Sequence, residues 1–164
     1  MNSPSLYLII ALAPLVGALI AGLFGTGFLG RIISKRGAHL ITILGVLISF
    51  VGSVMVLNQT LSGLTFDGPV YTWATIGDAT WQIGFLIDNL TALMMVVVTS
   101  VSLMVHIYTI GYMADDPGYQ RFFSYISLFT FSMLMLVMSN NMLQLFFGWE
   151  AVGLVSYLLI GFWY

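Results

Sequence analysis

Most of this chain consists of apolar stretches that are long enough to cross a lipid bilayer. Hydrophobic residues occupy 60% of the 164 positions, and charged residues occupy only 6%. So few polar side chains cannot cover the surface of a water-soluble globule, and the composition therefore predicts a membrane protein. Inside lipid, backbone polar groups are satisfied in helices or closed barrels, and runs of about 20 apolar residues indicate helices.

The hydropathy pattern predicts an all-α integral membrane fold with about five transmembrane helices. These predicted helices cover residues 6–29, 38–57, 90–113, 117–139 and 141–164. No basic residue precedes the first helix, and Arg31, Lys35 and Arg36 follow it, which is the reverse of a cleaved signal peptide. We therefore expect a permanent first helix with its N-terminus outside.

Small and polar residues predict how these helices begin and pack. The four-residue repeats Gly17, Ala21, Gly25 and Gly45, Ser49, Ser53 predict that the first two helices form an antiparallel pair. Asp88 or Asn89 is expected to cap the third helix. Asp116 is expected to cap the fourth helix, with Pro117 at its first position.

Residues 58–87 form the one long polar segment, and they predict a β-hairpin between helices two and three. Strand-like runs at 70–76 and 80–86 are separated by Gly77 and Asp78. Tyr71, Trp73 and Trp81 are suited to a membrane interface or a partner protein. An isolated hairpin is barely stable in water, so we expect it to rest on another part of the structure.

The charges orient the predicted helices and exclude several classes of function. Arg31, Lys35, Arg36 and Arg121 all fall in connections on one side, which the positive-inside rule assigns to the cytoplasm, so the hairpin should face out. A net charge of −2 argues against nucleic-acid binding. Because the sequence contains no cysteine, it has no disulfide and no thiolate-bound iron–sulfur cluster or zinc.

Glu150 is the main candidate functional residue because it is an acid inside an otherwise uncharged span. It lies about 12 Å along the fifth predicted helix, which is close to the bilayer centre. An unpaired carboxylate there costs on the order of 3 kcal/mol, so intramembrane acids usually mark ion paths. The alternative is a structural acid that keeps its proton and donates a hydrogen bond to a carbonyl.

His106, inside the third predicted helix, is a second candidate. It is either a packing residue or a proton carrier, because the imidazole titrates near physiological pH. Helix geometry offsets it from Glu150 by roughly 13 Å along the membrane normal, so no direct hydrogen bond is expected. His39 and His106 both lie toward the cytoplasmic side, and a bis-histidine haem site is therefore an alternative, although nothing else in the sequence indicates haem.

Four motifs make the chain similar to a known family. Residues 84–92, 105–113, 118–123 and above all the Gly-Trp-Glu run at 147–164 resemble the antiporter-like subunit L family of proton-translocating NADH:quinone oxidoreductase, respiratory complex I. The resemblance implies an all-helical membrane subunit in which Glu150 belongs to a proton channel and is coupled to a lysine on a later helix. It also implies an outer hairpin that contacts a neighbouring subunit.

The same resemblance sets expectations for assembly and cofactors. Family members are several times longer, so residues 1–164 are expected to be one membrane domain at the N-terminal part of a longer subunit. NADH, FMN, iron–sulfur clusters and quinone would all be held by other subunits. The expected partners are other membrane subunits of complex I and the lipid bilayer. The expected location is a bacterial inner membrane, with the mitochondrial inner membrane as the alternative.

Three functions remain open on the sequence. The leading hypothesis is a proton-translocating subunit that couples NADH-to-quinone electron transfer to proton pumping through Glu150. Such a chain is part of an enzyme but carries no electrons itself. The alternatives are the large subunit of a multisubunit cation/proton antiporter, and a structural or assembly membrane protein.

Overall fold

The computed structural model describes residues 4–26, 32–77 and 79–163. Within these ranges lie five helices that are long and apolar enough to cross a membrane. They are α1 (Pro4–Gly25), α2 (Lys35–Leu61), α3 (Asn89–Tyr112), α4 (Tyr119–Val137) and α5 (Met142–Ile160), and a short 3-10 helix (Gly161–Trp163) follows. Strands β1 (Phe66–Ile76) and β2 (Ala79–Ile87) form an antiparallel hairpin between α2 and α3. The predicted fold class is confirmed, while Arg31, Asp78 and Tyr164 lie outside the described residues.

Side chains cap the N-termini of several helices, and one predicted cap is wrong. The carboxylate of Asp88 accepts the Thr91 N–H at 2.7 Å at the start of α3, as predicted. Helix α4 begins at Tyr119 rather than at Pro117, and its N-terminus has no side-chain cap. The carboxylate of Asp116 instead accepts the Gly118 N–H at 2.6 Å. Because the Asp116 carboxylate is bonded within this turn, it does not cap the helix that follows.

Helix α1 packs between α2 and α4 through hydroxyl groups that bond to its backbone. Pro14 has no N–H, so the carbonyl of Ile10 lacks its usual partner within the helix. The Ser49 hydroxyl of α2 donates to that carbonyl at 2.6 Å. The Ser127 hydroxyl of α4 donates to the Pro14 carbonyl at 2.7 Å. Both neighbouring helices therefore donate a hydroxyl to the backbone of α1 near Pro14.

Glycines let α1 and α2 approach closely, as the small-residue repeats predicted. A Cβ atom on Gly45 would lie 2.7 Å from the carbonyl oxygen of Ala13. A Cβ atom on Gly17 would lie 3.2 Å from the Cα of Thr42. Close backbone approach of this kind increases van der Waals contact, which is the main attraction between helices in lipid.

The hairpin rests on one end of the helix bundle, which confirms that it does not stand alone. Phe85 and Ile87 are fully buried in a core that includes Tyr7 of α1 and Val56 of α2. The Leu86 N–H donates to the Met138 carbonyl at 3.0 Å, which ties β2 to the end of α4. Trp73 and Trp81 form an edge-to-face pair with centroids 5.9 Å apart and stay partly exposed.

The opposite end of the bundle carries basic side chains that donate to backbone carbonyls just after the ends of α3 and α5. The Lys35 ammonium donates to the Ala114 carbonyl at 2.8 Å and to the Asp116 carbonyl at 3.1 Å. The Arg121 guanidinium donates to the Phe162 carbonyl at 3.0 Å and lies 4.5 Å from the centre of that ring. Cations are favourable there because the last carbonyls of a helix carry partial negative charge.

Candidate functional site

The packing of α5 determines where Glu150 points. Gln144, Gly148 and Val155 are buried, and they form the face that packs on α4. A Cβ atom on Gly148 would lie 2.9 Å from the Cα of Leu136, so the two helices touch at their backbones. Glu150 follows Gly148 by two residues, which is about 200° around the helix, and it is exposed.

The exposed face of α5 is otherwise aromatic and aliphatic. Trp149 and Tyr157 remain 67% and 73% exposed, and Leu154 is exposed beside them. Such side chains are suited to lipid or to a protein partner, but a carboxyl group at this depth is costly in lipid. Because Glu150 precedes Ile160 by ten residues, it lies about 15 Å from the basic end of the bundle. The described cations Lys35, Arg36 and Arg121 all lie at that end.

His106 occupies a different environment, because its side chain is fully buried. Its Nδ1 atom donates to the Ser102 carbonyl at 2.8 Å and lies 3.3 Å from the Ser102 hydroxyl. That hydroxyl shares a hydrogen bond of 2.5 Å with the Thr130 hydroxyl of α4. The Nε2 atom is buried and has no hydrogen-bond partner among the described residues. A proton on Nδ1 leaves Nε2 as an unprotonated acceptor.

A second histidine lies close to the same region. The Nδ1 atom of His39 and the Tyr119 hydroxyl share a hydrogen bond of 2.8 Å. The Phe123 ring contacts both imidazoles, with centroid distances of 6.0 Å to His39 and 5.9 Å to His106. Within the described ranges, no group of three or more histidine, cysteine, aspartate or glutamate side chains could hold a metal ion.

The structure does not bring Glu150 and His106 together. Glu150 lies on the face of α5 that points away from α4, whereas His106 contacts Phe123 of α4. Sequence reasoning missed the Ser102 hydroxyl, which lies next to His106 Nδ1, and the Thr130 hydroxyl, which is bonded to that of Ser102. The four-residue spacing of Ser102 and His106 could have indicated the first contact. The contact with Thr130 required the packing of α3 on α4.

A groove of about 440 Å³ lies beside this hydroxyl pair. Its walls are apolar side chains of α3 and α4, together with Leu159 of α5, and Ser102 and Thr130 also line it. Ser102 precedes Tyr112 by ten residues and therefore lies about 15 Å from the basic end of α3. The hydroxyl pair and Glu150 thus lie at similar depths on different faces of the bundle.

Comparison with known proteins identifies the family. Residues 73–123 match the family model described as NADH-Ubiquinone oxidoreductase (complex I), chain 5 N-terminus. The NADH-quinone oxidoreductase subunit L of Neisseria meningitidis serogroup A is 66% identical over 100% of this chain and 24% of its own length. The NADH-ubiquinone oxidoreductase chain 5 of Marchantia polymorpha is 44% identical over 97% of this chain and 23% of its own length.

A further relative agrees with these matches. The NADH-ubiquinone oxidoreductase chain 5 of Arabidopsis thaliana is 43% identical over 97% of this chain and 23% of its own length. The chain thus spans about a quarter of the length of the curated relatives that it matches. The chain belongs to the family formed by NADH-quinone oxidoreductase subunit L and NADH-ubiquinone oxidoreductase chain 5.

Proposed function

We propose that this protein is a proton-translocating membrane subunit of NADH-quinone oxidoreductase and that Glu150 carries the proton through it. The names of its relatives support the assignment to the complex. The proposed role of Glu150 rests on its position, because the side chain is exposed at mid-depth on an apolar helix. An ionisable group in that position needs a polar partner or a proton, and this is the requirement of a proton path.

In this proposal the exposed face of α5 is covered in the complete protein. The partner of Glu150 would be a basic group on a further part of the subunit or on a neighbouring one. A cation close to the carboxyl favours the ionised form, and withdrawal of that cation favours proton uptake. Movement of a positive charge toward or away from Glu150 would therefore load and unload the proton.

The chain itself would move protons while other subunits move electrons. The absence of cysteine agrees with this division, because the sequence supplies no thiolate for an iron–sulfur cluster. NADH, FMN, the clusters and quinone would be bound elsewhere in the complex. Coupling then requires that proton movement in this subunit and electron transfer in the others depend on one another.

The decisive experiment replaces Glu150 by glutamine in the full-length subunit of the assembled complex. Glutamine keeps nearly the same volume and hydrogen-bonding capacity but cannot exchange a proton at this position. We expect proton pumping into sealed vesicles on NADH addition to be strongly impaired, and NADH:quinone turnover to slow with it. The amount of assembled complex should change little.

Aspartate is the matched control at this position. It restores an ionisable group with a shorter reach, so Glu150→Asp should recover part of the pumping. Full pumping by the glutamine variant at normal complex levels would make Glu150 a structural acid and would refute the proposed role.

We also propose the orientation that the basic residues indicate, with the hairpin and the N-terminus outside and the protein in a bacterial inner membrane. The side with Lys35, Arg36 and Arg121 would be the cytoplasm. A reporter fused after Arg36 or Gly118 should report cytoplasm, and one fused between residues 68 and 78 should report the outer side. An outward signal at Lys35 would contradict this topology.

The hairpin is proposed to contact a neighbouring subunit of the complex. Trp73 is 53% exposed and Trp81 is 38% exposed on the hairpin, and paired aromatic residues of this kind are frequent anchors of interfaces. Replacing both by serine should lower the amount of assembled complex on a native gel while the helices still insert. Unchanged complex abundance would argue against this contact.

A further inference from the structure

The environment of His106 combines three features that packing alone does not require. The imidazole is fully buried, its Nε2 atom has no partner among the described residues, and its Nδ1 atom lies beside a hydroxyl that is bonded to a second hydroxyl. A buried acceptor without a donor costs on the order of 1 kcal/mol or more, and a purely structural residue would gain by avoiding it. A group that must receive a proton needs such a free acceptor.

The hydrogen bonds around His106 form a continuous line across two helices. From Nε2 the line passes through the ring to Nδ1, then 3.3 Å to the Ser102 hydroxyl and 2.5 Å to the Thr130 hydroxyl. Both hydroxyls line the groove of about 440 Å³ between α3 and α4. The line therefore joins a buried base to an open space at mid-depth.

We propose that His106, Ser102 and Thr130 form a proton wire that ends in this groove, as a part of the proposed proton-translocating function. A proton from water binds to Nε2, and the Nδ1 proton, which the Ser102 carbonyl accepts at rest, then passes to the nearby Ser102 hydroxyl oxygen. The Ser102 hydroxyl proton passes to the Thr130 oxygen, and the Thr130 hydroxyl, which donates to the Ile126 carbonyl at 2.9 Å at rest, rotates and releases its proton to a water molecule in the groove. One proton enters and one leaves, and rotation of the hydroxyls and return of the imidazole to its starting tautomer restore the original arrangement.

The surroundings of the wire favour a defined direction of supply. His39 and Tyr119, which form the other hydrogen-bonded pair, pack near the same Phe123 ring and lie nearer the basic end of the bundle. His39 follows the first residue of α2 by four positions, so it lies about 6 Å from that end. Protons would thus reach His106 from the basic end and leave at the depth of Ser102 and Thr130.

The test uses three variants of the full-length subunit in the assembled complex. His106→Asn keeps a side-chain N–H for the Ser102 carbonyl but has no basic nitrogen. Ser102→Ala and Thr130→Val each remove one hydroxyl with little change of volume. We expect each variant to slow NADH-driven proton pumping strongly, by up to the roughly hundredfold typical of a lost proton-transfer group, with NADH:quinone turnover slowing alongside and complex abundance unchanged.

Thr99→Val is the matched control. Thr99 is buried on the same helix, and its hydroxyl donates to the Met95 carbonyl rather than to the wire. This variant should pump as the parent does. Because groups in one wire act in series, the double variant His106→Asn with Ser102→Ala should pump no less than His106→Asn alone.

The outcomes separate this inference from the proposed function. If Glu150→Gln abolishes pumping while Ser102→Ala and Thr130→Val pump like Thr99→Val, the wire is refuted and the proposed function stands. If Glu150→Gln pumps normally, the proposed role of Glu150 is refuted, and the three wire variants decide the wire on their own. If His106→Asn prevents assembly, the two hydroxyl variants decide the matter, because neither removes a ring from the core.

Discussion

Helices α1 and α5 are both apolar enough to span a membrane, but they use their small and polar residues differently. Helix α1 packs on α2 and α4, and its three glycines and the carbonyls of Ile10 and Pro14 face these neighbours. Helix α5 packs on α4 through Gly148, whereas Glu150 and Gly153 lie on its exposed side. In lipid, small and polar residues mark contact surfaces because apolar side chains gain little by leaving the lipid tails.

The comparison indicates that α5 has a second contact surface that the described residues leave uncovered. On α1, each glycine has a neighbour on α2 or α4. On α5, the acid and a glycine face outward among exposed aromatic residues. Substitutions on the two faces of α5 should therefore fail for different reasons, and this difference can be measured.

The largest effect is expected from Gly148→Leu. A side chain at this position meets the backbone of Leu136 at 2.9 Å, and backbone cannot move aside as a flexible side chain can. Overpacking usually costs about 1–3 kcal/mol, and a backbone contact should reach the upper end of that range. The expected result is loss of assembled complex on a native gel. A normal level would mean that α5 does not pack on α4 through Gly148.

Gly153→Leu on the opposite face should have a smaller effect with a different cause. A Cβ atom at Gly153 meets nothing within 4 Å, so the five helices can accommodate the leucine. If a partner covers this face, assembly of the complex should fall while insertion of the subunit into the membrane stays normal. Normal assembly would instead indicate that lipid covers the face, and the comparison with α1 would then need a different explanation.

Ser49→Ala tests the buried hydroxyl that supports α1. The substitution leaves the Ile10 carbonyl without the donor that replaces the missing N–H of Pro14. A buried acceptor left unpaired costs about 1–3 kcal/mol, and the thermal midpoint of the purified complex should fall. Ser100→Ala on α3 is the control, since that hydroxyl donates to the Val97 carbonyl of its own helix. Equal midpoints for the two variants would contradict the role of Ser49.

Asp88 gives the smallest predicted effect, and that effect depends on pH. The Thr91 N–H bonds the Asp88 carboxylate and lowers the pKa of that carboxyl below its usual value of about 4. The folded state favours the ionised form, so the contribution of this cap to the free energy of unfolding is fully present above the usual pKa. It is lost as pH falls through the lowered pKa.

Asp88→Ala should therefore destabilise the protein by about 1 kcal/mol at neutral pH, as the loss of a helix cap does. Asp88→Asn retains an oxygen that can accept the bond but does not titrate. Its thermal midpoint should decline less than that of the parent between about pH 6 and pH 3. Parallel declines in both proteins would show that the cap contributes nothing through its charge.

Patterns with local physical causes were predicted correctly from the sequence. The five spans follow from long apolar runs, and the hairpin follows from two strand-like runs divided by Gly77. The cap at Asp88 follows from an acid directly before an apolar run. The cap predicted at Asp116 was wrong because its carboxylate bonds within the preceding turn, and two arrangements of the same residues compete there.

The sequence by itself determined that this chain forms five apolar helices and a hairpin, and that an acid and a histidine lie within the spans. It could do so because hydrophobicity, helix length and local hydrogen bonding act over a few neighbouring residues. Only the tertiary structure decided that Glu150 faces outward and that His106 is buried beside Ser102 and Thr130. Helices of nearly uniform hydrophobicity do not reveal which face is inward, and that choice depends on how glycines and hydroxyls of different helices fit together.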